Sequence, residues 1–175
     1  MDNNTKINVF HSEDFPKSAA YTGIIGASLC FMIGIPINFA TILTIIRSKK
    51  LHNVTYFLIG YLCSCDLALG CFIFPIVVIS DVAESWIFGE TFCEYYSFIT
   101  NLLVGNELGS LMIISINRCL LICLPKVNSI LFSKHGVVGL IIFWGVFAVL
   151  MLFPPLAGLW GQYGYGARKN YCGFI

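Results

Sequence analysis

Apolar residues run almost unbroken over Thr22–Ile46, Thr55–Ser80, Phe92–Leu124 and Val137–Trp160, while charged residues gather in the short segments between these stretches. A helix rises about 1.5 Å per residue and the hydrocarbon core of a bilayer is ~30 Å thick, so each stretch is long enough to span it. The pattern predicts an all-α membrane protein with four transmembrane helices. Connections as short as residues 47–54 leave no room for another domain, so successive helices run antiparallel in one bundle. The third stretch carries a landmark at each end: from Cys93 to Arg118 a helix rises roughly 37 Å, which puts a cysteine at one membrane border and a cation at the other.

The charges between the stretches set a direction. Arg47, Lys49 and Lys50 follow the first stretch, Arg118, Lys126 and Lys134 separate the third from the fourth, and neither region contains an acid. Basic loops of this kind stay on the cytoplasmic side. The predicted layout is an extracellular amino-terminal segment at 1–21, a four-helix membrane region at 22–160 and the start of an outer loop at 161–175. Asn3-Asn4-Thr5 matches the glycosylation acceptor pattern, which makes Asn3 a candidate site on the outer side. The first residues lack the basic start and apolar run of a cleaved signal peptide, so the first helix acts as its own insertion signal.

Composition narrows the classes. The chain is 58% hydrophobic and 11% charged, far from the soluble average of about 25% charged, so its solvent is the lipid bilayer. The basic residues form no patch suited to nucleic acid. Neither a nucleophile with its base nor metal-ligand spacing occurs, so no enzyme is expected.

A few polar residues interrupt the apolar stretches. Asp66 stands midway along the second and Glu107 midway along the third. An acid at the bilayer centre costs about 2.5–3.5 kcal/mol on insertion scales, so each should face the bundle interior, water, a cation or a proton. Where their faces meet, the pair shares a proton or recruits a small cation such as sodium; where they do not, each is a separate protonated acid. Asn38 and Ser110 are positioned to hydrogen-bond across the bundle or to serve as helix-packing contacts. Trp86 lies at the membrane interface, where tryptophan anchors helices. Pro154 and Pro155 should distort the outer end of the fourth helix. Cys93 and Cys172 both fall in outer segments, where either a bridge or two free thiols fits their position. Arg118 at the inner border fits a snorkelling cation.

Taken in order, Asn38, Leu62 with Asp66, the Trp86-x-Phe88-Gly89 turn, Cys93, Asn117-Arg118, Trp144 and Cys172 resemble the rhodopsin-like G protein-coupled receptors. Asn117-Arg118 followed by Cys-Leu-Leu-Ile-Cys, and Phe-Pro-Pro-Leu-Ala-Gly-Leu-Trp-Gly-Gln-Tyr-Gly before Cys172, are similar to the melatonin-receptor neighbourhood, especially the Moody and Trapped-in-endoderm receptors. The resemblance implies a seven-helix bundle of which these are the first four helices, whether the chain is a fragment or a natural truncation. It implies a Cys93–Cys172 disulfide, contact of Arg118 with a heterotrimeric G protein, an extracellular ligand, a plasma-membrane location, and a sodium and water network around Asp66 and Asn38. Beyond that ion it implies no cofactor. Departures are also visible. Glu107 replaces a small polar residue, Asn117 replaces an aspartate that pairs with the adjacent arginine, and Thr100 stands where amine receptors carry an acid. A four-helix membrane scaffold, or an ion or proton pathway through Asp66 and Glu107, is the competing reading.

Overall fold

The computed structural model describes residues 10–11, 17–49, 53–166 and 171–175; Asn3 lies outside them. Four helical spans, Tyr21–Arg47, Val54–Val82, Glu90–Cys123 and Lys134–Leu156, are long and apolar enough to cross a membrane. The first comprises α1 (Lys17–Leu29) and α2 (Ile35–Arg47), joined by the π-helical turn Cys30–Gly34. The second comprises α3 (Val54–Ala68) and α4 (Phe74–Val82), joined by a second π-helical turn, Leu69–Ile73. The third is α5 (Glu90–Cys123), the fourth is α7 (Lys134–Leu156), and the short α6 (Pro125–Leu131) lies between them.

Local chemistry explains these boundaries. Pro36 and Pro75 each follow a π-helical turn, where a missing amide hydrogen lets the preceding turn widen. Asn53 caps α3 by accepting from the Tyr56 amide at 3.2 Å, and Ser133 caps α7 by accepting from the Gly136 amide at 3.2 Å. The fourth helix continues through Pro154 and Pro155 and ends at Leu156, short of residue 160; Gly158 then turns the chain with φ 68°.

The third span is the hub. Both α3 and α7 pack on α5, while α2 packs on α3 and α1 on α4. Two buried clusters sit at opposite ends of the hub. One gathers Leu69, Ile73, Trp86, Cys93, Tyr96 and Cys172, and the other Leu58, Ile113, Phe132 and Val137. Large side chains such as Phe143, Val146 and Leu150 point outward, as a bilayer-facing surface requires.

Two small antiparallel sheets cap the end that holds Cys93. β1 (Phe10–His11) pairs with β2 (Ser85–Trp86), and β3 (Tyr163–Gly166) pairs with β4 (Tyr171–Phe174). Trp86 differs from the interfacial anchor expected of it. Its ring is 2% exposed because it packs among Phe88, Phe92 and Tyr96, and its indole N–H donates to the Gly89 carbonyl at 2.7 Å. Gly89 adopts φ 85° immediately before α5, a conformation that explains glycine at this point of the turn.

Candidate functional site

Three places along the third span define the candidate site: the end that holds Cys93, the middle at Glu107 and the end that holds Arg118. At one end, Cys93 is disulfide-bonded to Cys172, with a Cα–Cα distance of 5.4 Å, which ties the third span to β4. The hairpin packs down on α5, and the Tyr163 hydroxyl donates to the Leu152 carbonyl at 3.1 Å. Burial pushes the Tyr163 and Tyr165 phenols above their usual range, so both remain hydrogen-bond donors at neutral pH.

Midway along the span, a cavity of about 220 Å³ opens between the two π-helical turns and the third span. Asn38, Asp66 and Glu107 line it together with Gly34 and Gly70. The two acids therefore face the same cavity. This is the shared-site arrangement, in which like charges are relieved by one proton or one cation. Asn38 donates to the Gly34 carbonyl at 3.1 Å, which leaves its Oδ1 as the acceptor. Two carboxyl groups and one carboxamide supply hard oxygen ligands of the kind that small alkali cations accept. Ser110 is not part of this cavity. Its hydroxyl donates to the Asn106 carbonyl one turn earlier at 2.6 Å, because serine on a helix finds its nearest acceptor on its own backbone.

A separate junction lies beside the cavity. Tyr61 donates to Asn106 Oδ1 at 3.1 Å, and the Trp144 indole donates to the Gly105 carbonyl at 2.9 Å, so the second, third and fourth spans meet on one turn of α5. The indole lies directly over Gly109, where a Cβ would overlap it.

At the far end, Asn117 is 2% exposed and spoken for on both sides. Thr55 donates to Asn117 Oδ1 at 3.0 Å, and the Asn117 amide donates to Asn128 Oδ1 at 3.0 Å. The residue therefore clamps α6 and the start of α3 to the third span. Its neighbour Arg118 is exposed. The clamp contains no charge, so nothing in it holds the guanidinium by an ion pair.

The sequence profile described as 7 transmembrane receptor (rhodopsin family) matches residues 37–175 of this chain. The chain belongs to the rhodopsin family of seven-transmembrane receptors. Protein trapped in endoderm-1 of Drosophila melanogaster is 33% identical over 161 residues, covering 90% of this chain and 41% of that protein. Rhodopsin of Scyliorhinus canicula is 30% identical over 154 residues, covering 86% of this chain and 42% of the relative. G-protein coupled receptor moody of Drosophila pseudoobscura pseudoobscura is 29% identical over 147 residues, with 84% and 22% covered. The crystal structure of squid rhodopsin superposes with a TM-score of 0.79 at 27% identity, covering 93% of this chain and 44% of that one. The chain thus spans less than half the length of these relatives.

Membership of a receptor family disfavours the scaffold and ion-pathway readings. The disulfide pair, the acid pair with Asn38, and Asn117–Arg118 fall respectively at the end of the third span that holds Cys93, at the mid-span cavity and at the opposite end. Thr55, Asn128, Tyr61 and Asn106 carry no sequence signal, since polar residues on helices are common. Gly105 and Gly109 do carry one, a small-xxx-small spacing that marks close helix approach.

Proposed function

We propose that this chain is the four-helix amino-terminal part of a plasma-membrane receptor that passes an extracellular signal to a heterotrimeric G protein. The positive-inside bias supports an orientation with the disulfide end outside and Arg118 inside. The observation that carries the reading is the division of labour at the inner border. Asn117 is consumed in a buried neutral clamp, which leaves the exposed Arg118 available to a cytoplasmic partner. In a receptor carrying this chain as its first four helices, Arg118→Ala should reduce agonist-driven G protein activation to the level of cells lacking the receptor, with surface expression unchanged. Retained signalling at normal expression would return Arg118 to a snorkelling role.

The mid-span cavity is proposed to hold a sodium ion between Asp66 and Glu107, with Asn38 as a third oxygen ligand. Binding to the folded form alone stabilises it by mass action. Purified protein should therefore melt higher in sodium chloride than in N-methylglucamine chloride, by roughly 2–4 °C per kcal/mol of linkage. Glu107→Gln should shrink that difference. Equal melting in both salts for the unaltered protein would exclude the ion.

A further inference from the structure

The fourth span rises roughly 34 Å over its 23 residues from Lys134 at the basic end, enough to clear a ~30 Å hydrocarbon core near Leu156. The turn that follows, residues 157–161, therefore stands just beyond the acyl chains at the disulfide end. It carries two large apolar side chains into the open, Leu159 at 74% exposure and Trp160 at 62%. They extend the outward stripe of α7, in which Phe143, Val146, Leu150 and Phe153 recur at helical spacing and are all exposed.

The turn is built for a setting of low polarity. Residues 136–167 contain no Asp, Glu, Lys or Arg, whereas residues 81–94 at the same end carry Asp81, Glu84, Glu90 and Glu94. Its first amides are satisfied by the helix itself: Ala157 N–H donates to the Phe153 carbonyl at 3.0 Å, Gly158 N–H to the Pro155 carbonyl at 3.3 Å and Leu159 N–H to the Pro154 carbonyl at 3.0 Å. None of these donors needs water. Gly158 and Gly161 adopt φ 68° and 63° on either side of Leu159 and Trp160, a backbone conformation that suits glycine and fixes where the pair projects. The Trp160 ring packs edge-on against Phe174 at 5.9 Å, and Phe174 in turn lies over Gly161. Phe174 belongs to β4, the strand that carries Cys172, so the turn is joined to the disulfide-tied hairpin.

Burial and size select the occupant. Of the three tryptophans, Trp86 is enclosed and Trp144 donates inward to the Gly105 carbonyl, which leaves Trp160 as the exposed one. Its apolar body with one N–H suits the zone where lipid headgroups meet acyl chains. Two side chains fall far short of the roughly 800 Å² per partner that a stable protein interface buries, which disfavours a second copy.

We propose that the turn carrying Leu159 and Trp160 anchors the fourth span and the hairpin to the lipid leaflet at the disulfide end, with Leu159 among the first carbons of the acyl chains and the indole at the headgroup boundary. The inference rests on the membrane spans and is independent of G protein coupling.

The test is tryptophan fluorescence of the chain reconstituted into phosphatidylcholine vesicles, with bromine placed on the acyl chains either near the headgroup or near the chain end. Subtracting the signal of Trp160→Phe, which keeps the edge contact with Phe174, isolates Trp160, because Trp86 and Trp144 are common to both proteins. Shallow bromine should quench Trp160 about twofold more than deep bromine, since indole rings settle at headgroup level, and aqueous iodide should leave it unchanged. Leu159→Asp retains Trp160 and gives a second reading: drawn towards water, its indole should lose about half of its quenching by shallow bromine and become accessible to iodide. Melting temperature in detergent identifies variants that fold normally. Quenching by iodide without quenching by lipid would place the turn in water and overturn the anchor. Stronger quenching by deep bromine, or none by either lipid or iodide, would also overturn it, the last by showing that protein covers the turn.

Discussion

Replacing Cys93 or Cys172 by serine is expected to lower the melting temperature of the purified protein by roughly 5–10 °C. The bridge joins residues separated by 79 positions, and loop-closure entropy for that length gives about 4–5 kcal/mol. The helices of a membrane bundle remain inserted when tertiary contacts are lost, which limits the freedom released, so about 2–3 kcal/mol is the expected loss. A domain of this size shifts by roughly 2–4 °C per kcal/mol. The cysteines sit in the same buried cluster as Trp86 and Tyr96, so loosening the bridge also frees the aromatic packing beneath the hairpin. The two single variants and the double variant should melt together, because each removes the same covalent link. Non-reducing peptide mapping should recover Cys93 joined to Cys172; recovery of both as free thiols would remove the basis of the prediction.

Gly109→Ala is expected to destabilise the bundle by about 2–4 kcal/mol. A single methyl group is rarely so disruptive, but here it would occupy the space of the Trp144 indole. Overpacking costs roughly 1–3 kcal/mol, and displacing the ring also breaks its hydrogen bond to the Gly105 carbonyl, a further ~1 kcal/mol. Gly105→Ala is the matched control, one turn earlier on the same helix. A Cβ there meets nothing within 4 Å, so that variant should melt like the parent or slightly higher, since alanine favours the helix. Thermal unfolding of both variants in the same detergent decides the matter. Equal effects at the two positions would mean that helix propensity, and not the indole, sets the response.

The clamp at Asn117 shows how a sequence departure acquires meaning from its surroundings. From the sequence, asparagine beside Arg118 reads as a missing charge pair and nothing more. In the fold the same side chain joins three elements through Thr55 and Asn128. An amide can donate to one partner and accept from the other at once, whereas an ionised carboxylate only accepts. The substitution therefore suits the two contacts Asn117 makes.

The four membrane spans, their antiparallel succession and the depth of each landmark are legible in the order of residues alone, because apolar length and rise per residue are local properties of a helix. Asp66 and Glu107 stand midway along their spans, and Cys93 and Arg118 near the ends of theirs. Azimuth is set by the packed fold. Each π-helical turn in the first two spans inserts backbone into the helix and rotates everything beyond it by about a quarter-turn; Pro36 and Pro75 follow these turns, but a proline in an apolar run does not by itself dictate a π-helical turn. Helix packing then chose which faces meet. It joined Asn38, Asp66 and Glu107 in one cavity, turned Ser110 back onto its own helix, buried Trp86 and set the Trp144 ring on Gly109.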